Sequence, residues 1–351
     1  MGNNEGEVAV SVLCMVYNHE PYLRRCLDGF VMQETDFPFE VIVHDDKSTD
    51  RSAEIIREYE TRYPGIIRPI YEAENQYSKG DGAYFITIDS MIKGRYKAYC
   101  EGDDYWCDPH KLQRQYEYME AHPECTLCVH NSMYHDLSGR VEDHPYNDWV
   151  EVHVLTDREI FLGGKIHTSS YFYRVNEVLY PEYTYNKEYW FGDYMFMTLS
   201  RQAGEVVALP GIMSVYNAGN PGGVTEQTCR SGATSHIRAL SALIDYLGKF
   251  DAATGGRFHE AVTERMEKEQ AEIDYEAAML QLRRLIDSGA SQKEITACAE
   301  ILEQNAYLEN LVKNQTGYHR LTFQFRKAGY RYCYPLWKKI MRERVLSDVR
   351  E

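Results

Sequence analysis

From residue 8 the chain reads VAVSVLCMV, a nearly continuous apolar run rich in valine, which is the pattern of a strand covered on both faces in a parallel sheet. The stretch that follows, YNHEPYLRRCLDGFVMQ, sets Leu23, Cys26, Leu27 and Phe30 at i, i+3, i+4 and i+7, one apolar stripe on a helix. FEVIVHDD (39–46) repeats the strand pattern. KSTDRSAEIIREYETRY then offers Ser48, Thr49 and Asp50 as helix-start residues and Ile55, Ile56, Tyr59 and Tyr63 as a buried stripe, with Pro64 and Gly65 ending the helix. IIRPIYE reads as a third strand, FITIDSMIKG as a helix closed by Gly94, and YKAYC as a fourth strand running straight into EGDDYW.

Strands alternating with helices at this spacing predict a doubly wound, mostly parallel α/β sheet with right-handed crossovers. In such sheets ligands collect at the carboxyl ends of the strands. Three of these ends are polar: Tyr17, Asn18 and His19 after the first strand, Asp45 and Asp46 after the second, and Glu101, Asp103 and Asp104 after the fourth. Beyond residue 110 the pattern is mixed. HKLQRQYEYMEAHP reads as a helix, CTLCVHNSMYHD as a strand, and YNDWVEVHVLTDREIFLGGKIHTSSYFYRV as a loop, short helix and strand. FGDYMFMTLSRQAG reads as a helix with Asp193 in its first turn, and EVVALPGIMSVYNA as strands. Past about 234 the chain turns helical and highly charged, and Ser291 to Glu294 has the spacing of a capping box.

Charge narrows the partners. The net charge is −16, yet Arg320 to Val345 holds eight basic residues against Glu343 alone, a local +7 that leaves the remainder at −23. An acidic body does not suit a phosphate backbone, so nucleic acid is not an expected partner. No window approaches a membrane-spanning length of apolar residues and the N-terminus lacks a secretory pattern, so the expected location is cytoplasmic, with a peripheral position on the inner face of the cell membrane left open. Nine scattered cysteines fit reduced thiols. Cys125, Cys128 and His130 lack a second half with ligand spacing and read as a buried strand.

The sharpest chemical signal is EGDDYW. Alternation along a strand end puts Glu101 and Asp103 on one side, and Gly102 permits a close approach by another backbone or a ligand. Hard carboxylate oxygens favour Mg²⁺ or Mn²⁺, with substrate phosphates completing the shell. The bland alternative is a solvated acidic turn.

Taken together, VSVLCMVYNHEPYLRRCLDGFVMQ, FEVIVHDDKSTDRSAEII and ENQYSKGDGAYFITIDSMIKGRYKAYCEGDDYW resemble the family 2 inverting nucleotide-diphospho-sugar glycosyltransferases, densely over 8–125 and more sparsely to about 228. The resemblance implies a GT-A fold and a divalent cofactor, Mn²⁺ or Mg²⁺. It places Tyr17 and Asn18 at the nucleotide base, Asp46 at base or ribose, and Lys79 along the nucleotide. Asp103 becomes the metal ligand. Glu101, where the family usually has Asp, takes a ribose or water-mediated role; Asp104 joins the donor site, and Trp106 is a candidate to close over the sugar. An inverting transfer also needs a base for the acceptor hydroxyl. Asp193 aligns with it, although Gly192 precedes it where the family commonly has Glu. Tyr216 and Asn217 stand where the family often shows Tyr-Arg, and His167 and Thr225 are acceptor-side candidates.

The expected layout is a catalytic domain over 1–230, divided into a nucleotide-binding half at about 8–125 and an acceptor half at about 126–230, with a helical extension over 231–351. Its tail, 318–345, interleaves aromatic and basic residues and reads either as a membrane-surface segment or as a packed basic helix. Helices between about 257 and 313 are a candidate homodimer interface. The expected activity is metal-dependent transfer from a UDP-sugar or another nucleotide-diphospho-sugar to a glycan or lipid-linked acceptor in surface polysaccharide synthesis. A nucleotidyltransferase and a non-catalytic nucleotide-sugar-binding partner are the alternatives. The former is disfavoured because YNHEPYLRR lacks a glycine-rich phosphate loop.

Overall fold

The structure, a computed structural model, describes residues 7–79, 88, 90–139, 141–162, 166–175, 178, 180–184, 186, 188–189, 191–220, 223, 232–291, 293–294 and 297–298. The chain divides into two compact units, Met1–Arg265 and Met266–Glu351. Of the expected helix FITIDSMIKG (85–94), 85–87 and 89 lie outside the described residues, and 90–94 form a turn and irregular chain instead of a helix; Thr225 and the basic tail 318–345 also lie outside the described residues.

The first unit is built on one sheet. Strands β1 (Val10–Val16), β2 (Phe39–Asp45), β3 (Ile67–Tyr71) and β4 (Tyr96–Tyr99) correspond to the four apolar runs. β3, β2, β1 and β4 lie side by side and parallel. α1 (Glu20–Val31) connects β1 to β2 and α2 (Ser52–Arg62) connects β2 to β3. The continuous apolar run of β1 is explained by its two covered faces. Val10, Val12, Cys14 and Val16 pack with Leu23, Leu27 and Phe30 of α1 and with Ile55 and Ile56 of α2. Leu13 points the other way, to Ile42 and Ile88, with Met15 and Ile70 alongside. Each such side chain contributes about 1.5–3 kcal/mol when fully buried.

The sheet continues through β9 (Phe172–Arg174), antiparallel to both β4 and β6 (Cys125–Asp136), and then β10 (Glu205–Ala218), parallel to β6. The short strand β5 (Tyr105–Trp106), formed by the residues just after the acidic stretch, pairs with Ser214 and Val215 of β10. Two further short pieces, β7 (His144–Pro145) and β8 (His153–Val154), pair with β6 and β10. The expected strands within EVVALPGIMSVYNA are one strand whose register shifts between Leu209 and Ile212, where Pro210 lacks an N–H and Gly211 takes a φ of 103°. Helices α3 (Lys111–Ala121), α4 (Asp157–Phe161), α5 (Gly192–Ala203) and α6 (Ala233–Ala253) complete the order before α7 (His259–Asp287). Ser291 and Glu294 form the reciprocal bonds of a capping box, as their spacing predicts.

The carboxyl ends of β1 and β2 are fastened to each other. Asp50 accepts hydrogen bonds from the amides of Glu20 and Ser52, at 3.0 and 2.9 Å, and so serves the first turns of both α1 and α2. In return Glu20 accepts from the Arg51 amide, and the Ser52 hydroxyl accepts from the His19 amide at 3.0 Å. α2 therefore starts at Ser52, a few residues later than expected, because Ser48, Thr49 and Asp50 are spent on this crosswise capping. Among the described residues, no helix is long and apolar enough to cross a membrane.

Candidate active site

The expected nucleotide-side residues sit at the fastened strand ends. Asn18 adopts a left-handed conformation, φ 57°, and its side-chain oxygen accepts from the Thr49 amide at 2.7 Å. That oxygen joins the two loops. Asp46 is buried and its two carboxylate oxygens accept from the amides of Gln76 and Tyr77, at 2.6 and 3.0 Å, so it anchors the loop after β3. Each oxygen keeps a second lone pair for a ligand. Tyr17 is exposed, and so is Tyr77 on the loop that Asp46 holds. Lys79 pairs with Glu74 at 2.6 Å and with the Gln76 side chain at 2.9 Å, so its charge is already matched within its own loop.

The acidic stretch follows β4. Gly102 donates its amide to the carbonyl of Met15 at 2.9 Å. A Cβ at this position would lie 2.8 Å from His19 Nδ1 and 2.9 Å from a methyl of Val16. Glycine is thus required by a close approach, and the partner is the chain's own β1 end. On either side of this approach, Glu101, Asp103 and Asp104 each present a carboxylate oxygen, all within 4.8 Å of one another.

Three carboxylates so close cannot all carry charge without a cation. Burial, then the charges of Asp103 and Asp193, push the Glu101 carboxyl up to about 8. Burial above all, followed by Asp103 and Glu101, drives Asp104 well above the usual carboxylate range. Asp104 is only 1% exposed, and its Oδ2 has no hydrogen-bond partner among the described residues. An all-oxygen donor set with an unpartnered buried oxygen fits a hard divalent cation such as Mg²⁺ or Mn²⁺. Glu101 belongs to this set as closely as Asp103 does.

Two histidines and two asparagines complete the surroundings. His19 Nε2 lies 3.9 Å from Asp103 Oδ2, and His167 Nε2 lies 3.6 Å from Asp104 Oδ2. Burial depresses both imidazoles, His167 to about 4, so each is neutral at pH 7. His167 is held at its other nitrogen by the Ser169 hydroxyl, 2.9 Å away, and stacks on Tyr216 with centroids 4.2 Å apart. At the end of β10, Asn217 donates its amide to Asp104 Oδ1 at 2.9 Å and its side-chain NH₂ to the carbonyl of Asp103. Asn220 donates to Asp103 Oδ2 at 2.9 Å.

Asp193, in the exposed first turn of α5, accepts its neighbour Tyr194's amide at 2.8 Å on Oδ1. Its charge acts on Glu101 and on the buried Tyr171, so the candidate base and the acidic cluster share one region. Trp106 does not. It is buried, donates its indole N–H to the Ser169 carbonyl at 3.0 Å and packs edge-on against Phe30. The Lys111 ammonium nitrogen sits 4.0 Å from its ring centroid. Pairing of β5 with β10 carries this ring into the core, which overturns its expected place over the sugar. Cys125, Cys128 and His130 are buried in β6, as a strand reading requires.

Sequence reasoning named His19 at a polar strand end without giving it a role, passed over Tyr77 and Asn220, and did not give Asn217 a role. His19 carried a signal, since it directly follows Tyr17 and Asn18 at a strand end. The asparagines carried none, because their partners lie more than a hundred residues away in the chain.

Residues 11–178 match the family model described as Glycosyl transferase family 2. An uncharacterized protein of Mycobacterium tuberculosis is 38% identical over 212 residues, covering 59% of this chain and 58% of that protein. The chain thus spans a little over half the length of that relative. An uncharacterized glycosyltransferase of Nostoc sp. is 33% identical over 112 residues, 32% of this chain and 33% of the relative. Among solved structures, S. aureus TarS 1-349 in complex with UDP-GlcNAc aligns with a TM-score of 0.49 and 17% identity, covering 68% of this chain and 67% of that one. Over residues 11–178, a little under half of its length, the chain is similar to glycosyltransferase family 2.

Proposed function

We propose that this protein transfers a sugar, with inversion, from a nucleotide-diphospho-sugar to a hydroxyl of a glycan or lipid-linked acceptor, and that UDP is the nucleotide. The observation that carries the reading is the cluster of Glu101, Asp103 and Asp104 at the carboxyl end of β4, with Asp193, in the first turn of α5, near enough for its charge to act on Glu101.

Asp103, Asp104 and Glu101 would hold the divalent cation, Mn²⁺ or Mg²⁺. When bound, such an ion supplies positive charge against the diphosphate leaving group. Asp46, with lone pairs to spare, and the exposed rings of Tyr17 and Tyr77 form the nucleotide end of the site. Asp193 Oδ2 takes no hydrogen bond among the described residues and is the atom that receives the acceptor hydroxyl's proton. The stacked rings of Tyr146, His167 and Tyr216 flank Asp104 from the acceptor half and suit the apolar face of a sugar. The catalytic part is assigned to 1–230, with 231–351 as a helical extension whose basic tail, 318–345, contacts the membrane surface.

The test is a panel of nucleotide sugars assayed for hydrolysis and transfer with and without Mn²⁺. One donor, expected to be a UDP-sugar, should turn over only with metal, and Asp103→Ala should abolish that turnover. Unchanged turnover in both Asp103→Ala and Asp193→Asn would overturn the proposal.

A further inference from the structure

The carboxylates of Asp103 and Asp104 are not held alike, and the difference lies in which oxygen each one has already committed. Asp104 gives Oδ1 to the Asn217 amide at 2.9 Å and leaves Oδ2 unpartnered and buried. Asp103 gives Oδ2 to the Asn220 side chain at 2.9 Å, and its Oδ1 accepts no hydrogen bond among the described residues. The Asn217 side chain also grips the Asp103 main-chain carbonyl, so the peptide between the two acids is fixed as well as their heads. The tip of β10 therefore leaves one oxygen on each acid turned to the cluster.

We infer that Asn217 and Asn220 are positioning residues that impose one-oxygen binding by Asp103 and Asp104 and thereby select a small octahedral cation over Ca²⁺. This rests on the metal-dependent reading given above. The physical reason lies in coordination number. Ca²⁺ takes six to eight oxygens and readily uses both oxygens of a carboxylate, whereas Mg²⁺ requires near-ideal octahedral geometry at short distance and Mn²⁺ suits the same all-oxygen octahedral set. A carboxylate with one oxygen tied to an amide is held at a fixed angle, and turning it to set both oxygens on one ion would strain that bond, even though the tied oxygen keeps a lone pair. Partners of this kind, one step removed from the ion, typically govern affinity by about 10- to 100-fold. The asparagines reach Asp103 and Asp104 from the end of β10 and the residues just after it, more than a hundred positions away in the chain.

The experiment is direct titration of the full chain with Mn²⁺, followed by the electron paramagnetic resonance signal of the free ion, and competition by Ca²⁺, for the parent chain, Asn220→Ala and Asn217→Ala. Asn220→Ala frees Asp103 Oδ2; Asn217→Ala keeps its amide and loses only the grip on the Asp103 carbonyl. Both variants are expected to weaken Mn²⁺ binding, Asn220→Ala by about tenfold, and Asn220→Ala to bring the Mn²⁺ and Ca²⁺ affinities closer together. Asn220→Gln, which restores an NH₂ donor on a longer stem, is expected to recover part of the preference. If the parent chain binds Mn²⁺ and Asn220→Ala, folded by its melting curve, keeps the same ratio of Mn²⁺ to Ca²⁺ affinity, the inference is wrong while metal dependence stands. If the parent chain binds no Mn²⁺ with or without UDP, both fail.

Discussion

The backbone amide of Asn217 reaches Oδ1 of Asp104 at 2.9 Å, joining residues 113 positions apart and tying the tip of β10 to the acidic turn after β4. Asp104 is thereby fixed from outside its own turn. Its remaining oxygen is buried beside two other carboxylates, so the fold holds like charges together and relieves the strain only through raised proton affinity or a bound cation.

That arrangement sets the first expectation. A cation that binds the folded cluster and has no equivalent site on the unfolded chain raises the melting temperature, by about 2.7 kcal/mol of stability at a hundred times its dissociation constant. Mn²⁺ should raise the melting temperature of the parent chain and a chelator should reverse it. Asp104→Asn, which removes a charge while keeping the shape, should melt higher than the parent without metal and lose most of the response to Mn²⁺.

Asp193 is separable from the cluster by kinetics. As the proposed base it acts on the acceptor's proton and contributes to the rate of transfer, not to donor binding. Asp193→Asn should lower kcat by about 10²- to 10⁴-fold and leave the affinity for UDP with Mn²⁺, measured by calorimetry, within a factor of a few.

Gly102→Ala tests the close approach of the acidic turn to β1. Its added methyl meets His19 Nδ1 at 2.8 Å, Val16 at 2.9 Å and the Met15 carbonyl at 3.2 Å. The histidine could shift, but β1 backbone and a core valine cannot do so freely. A loss of about 1–3 kcal/mol in urea denaturation is expected, together with weaker Mn²⁺ binding because the two neighbouring acids ride on the same turn.

Lys111 gives the pH dependence. Its ammonium is fully buried, bonded to the Gln115 side chain at 2.8 Å and set over Trp106, and burial lowers it from an ordinary 10.5 to about 7. Between these two values the unfolded chain binds the proton and the folded chain does not, so this group makes stability rise with pH across that window. The slope is at most about 1.4 kcal/mol per pH unit. Lys111→Met removes the group, so its stability relative to the parent should be greatest near pH 7 and shrink as pH rises toward 10. A constant difference would count against a neutral buried lysine.

Much of this could be read along the chain. The strands β1 to β4, both crossover helices and the location of the acidic stretch follow from periodicity and from which polar residues stand at strand ends, because a residue's partners within a strand or helix turn are its near neighbours in sequence. Asp103, Asp193 and Asp46 stood out as candidates for a related reason: each is an acid at one end of an apolar element. Trp106 misled, since a ring after a turn looks the same whether it faces solvent or core.

What the amino-acid sequence determined by itself, then, was the order of elements and the residues set at their ends, through local propensity and alternation. Only the tertiary structure decided that β5 folds back onto β10. That pairing buries Trp106 and brings His167, Asn217 and Asn220 against Asp103 and Asp104. Such contacts depend on the order of strands across the sheet, and hydrophobic patterning specifies which face of a strand is buried without specifying which strand lies beside it.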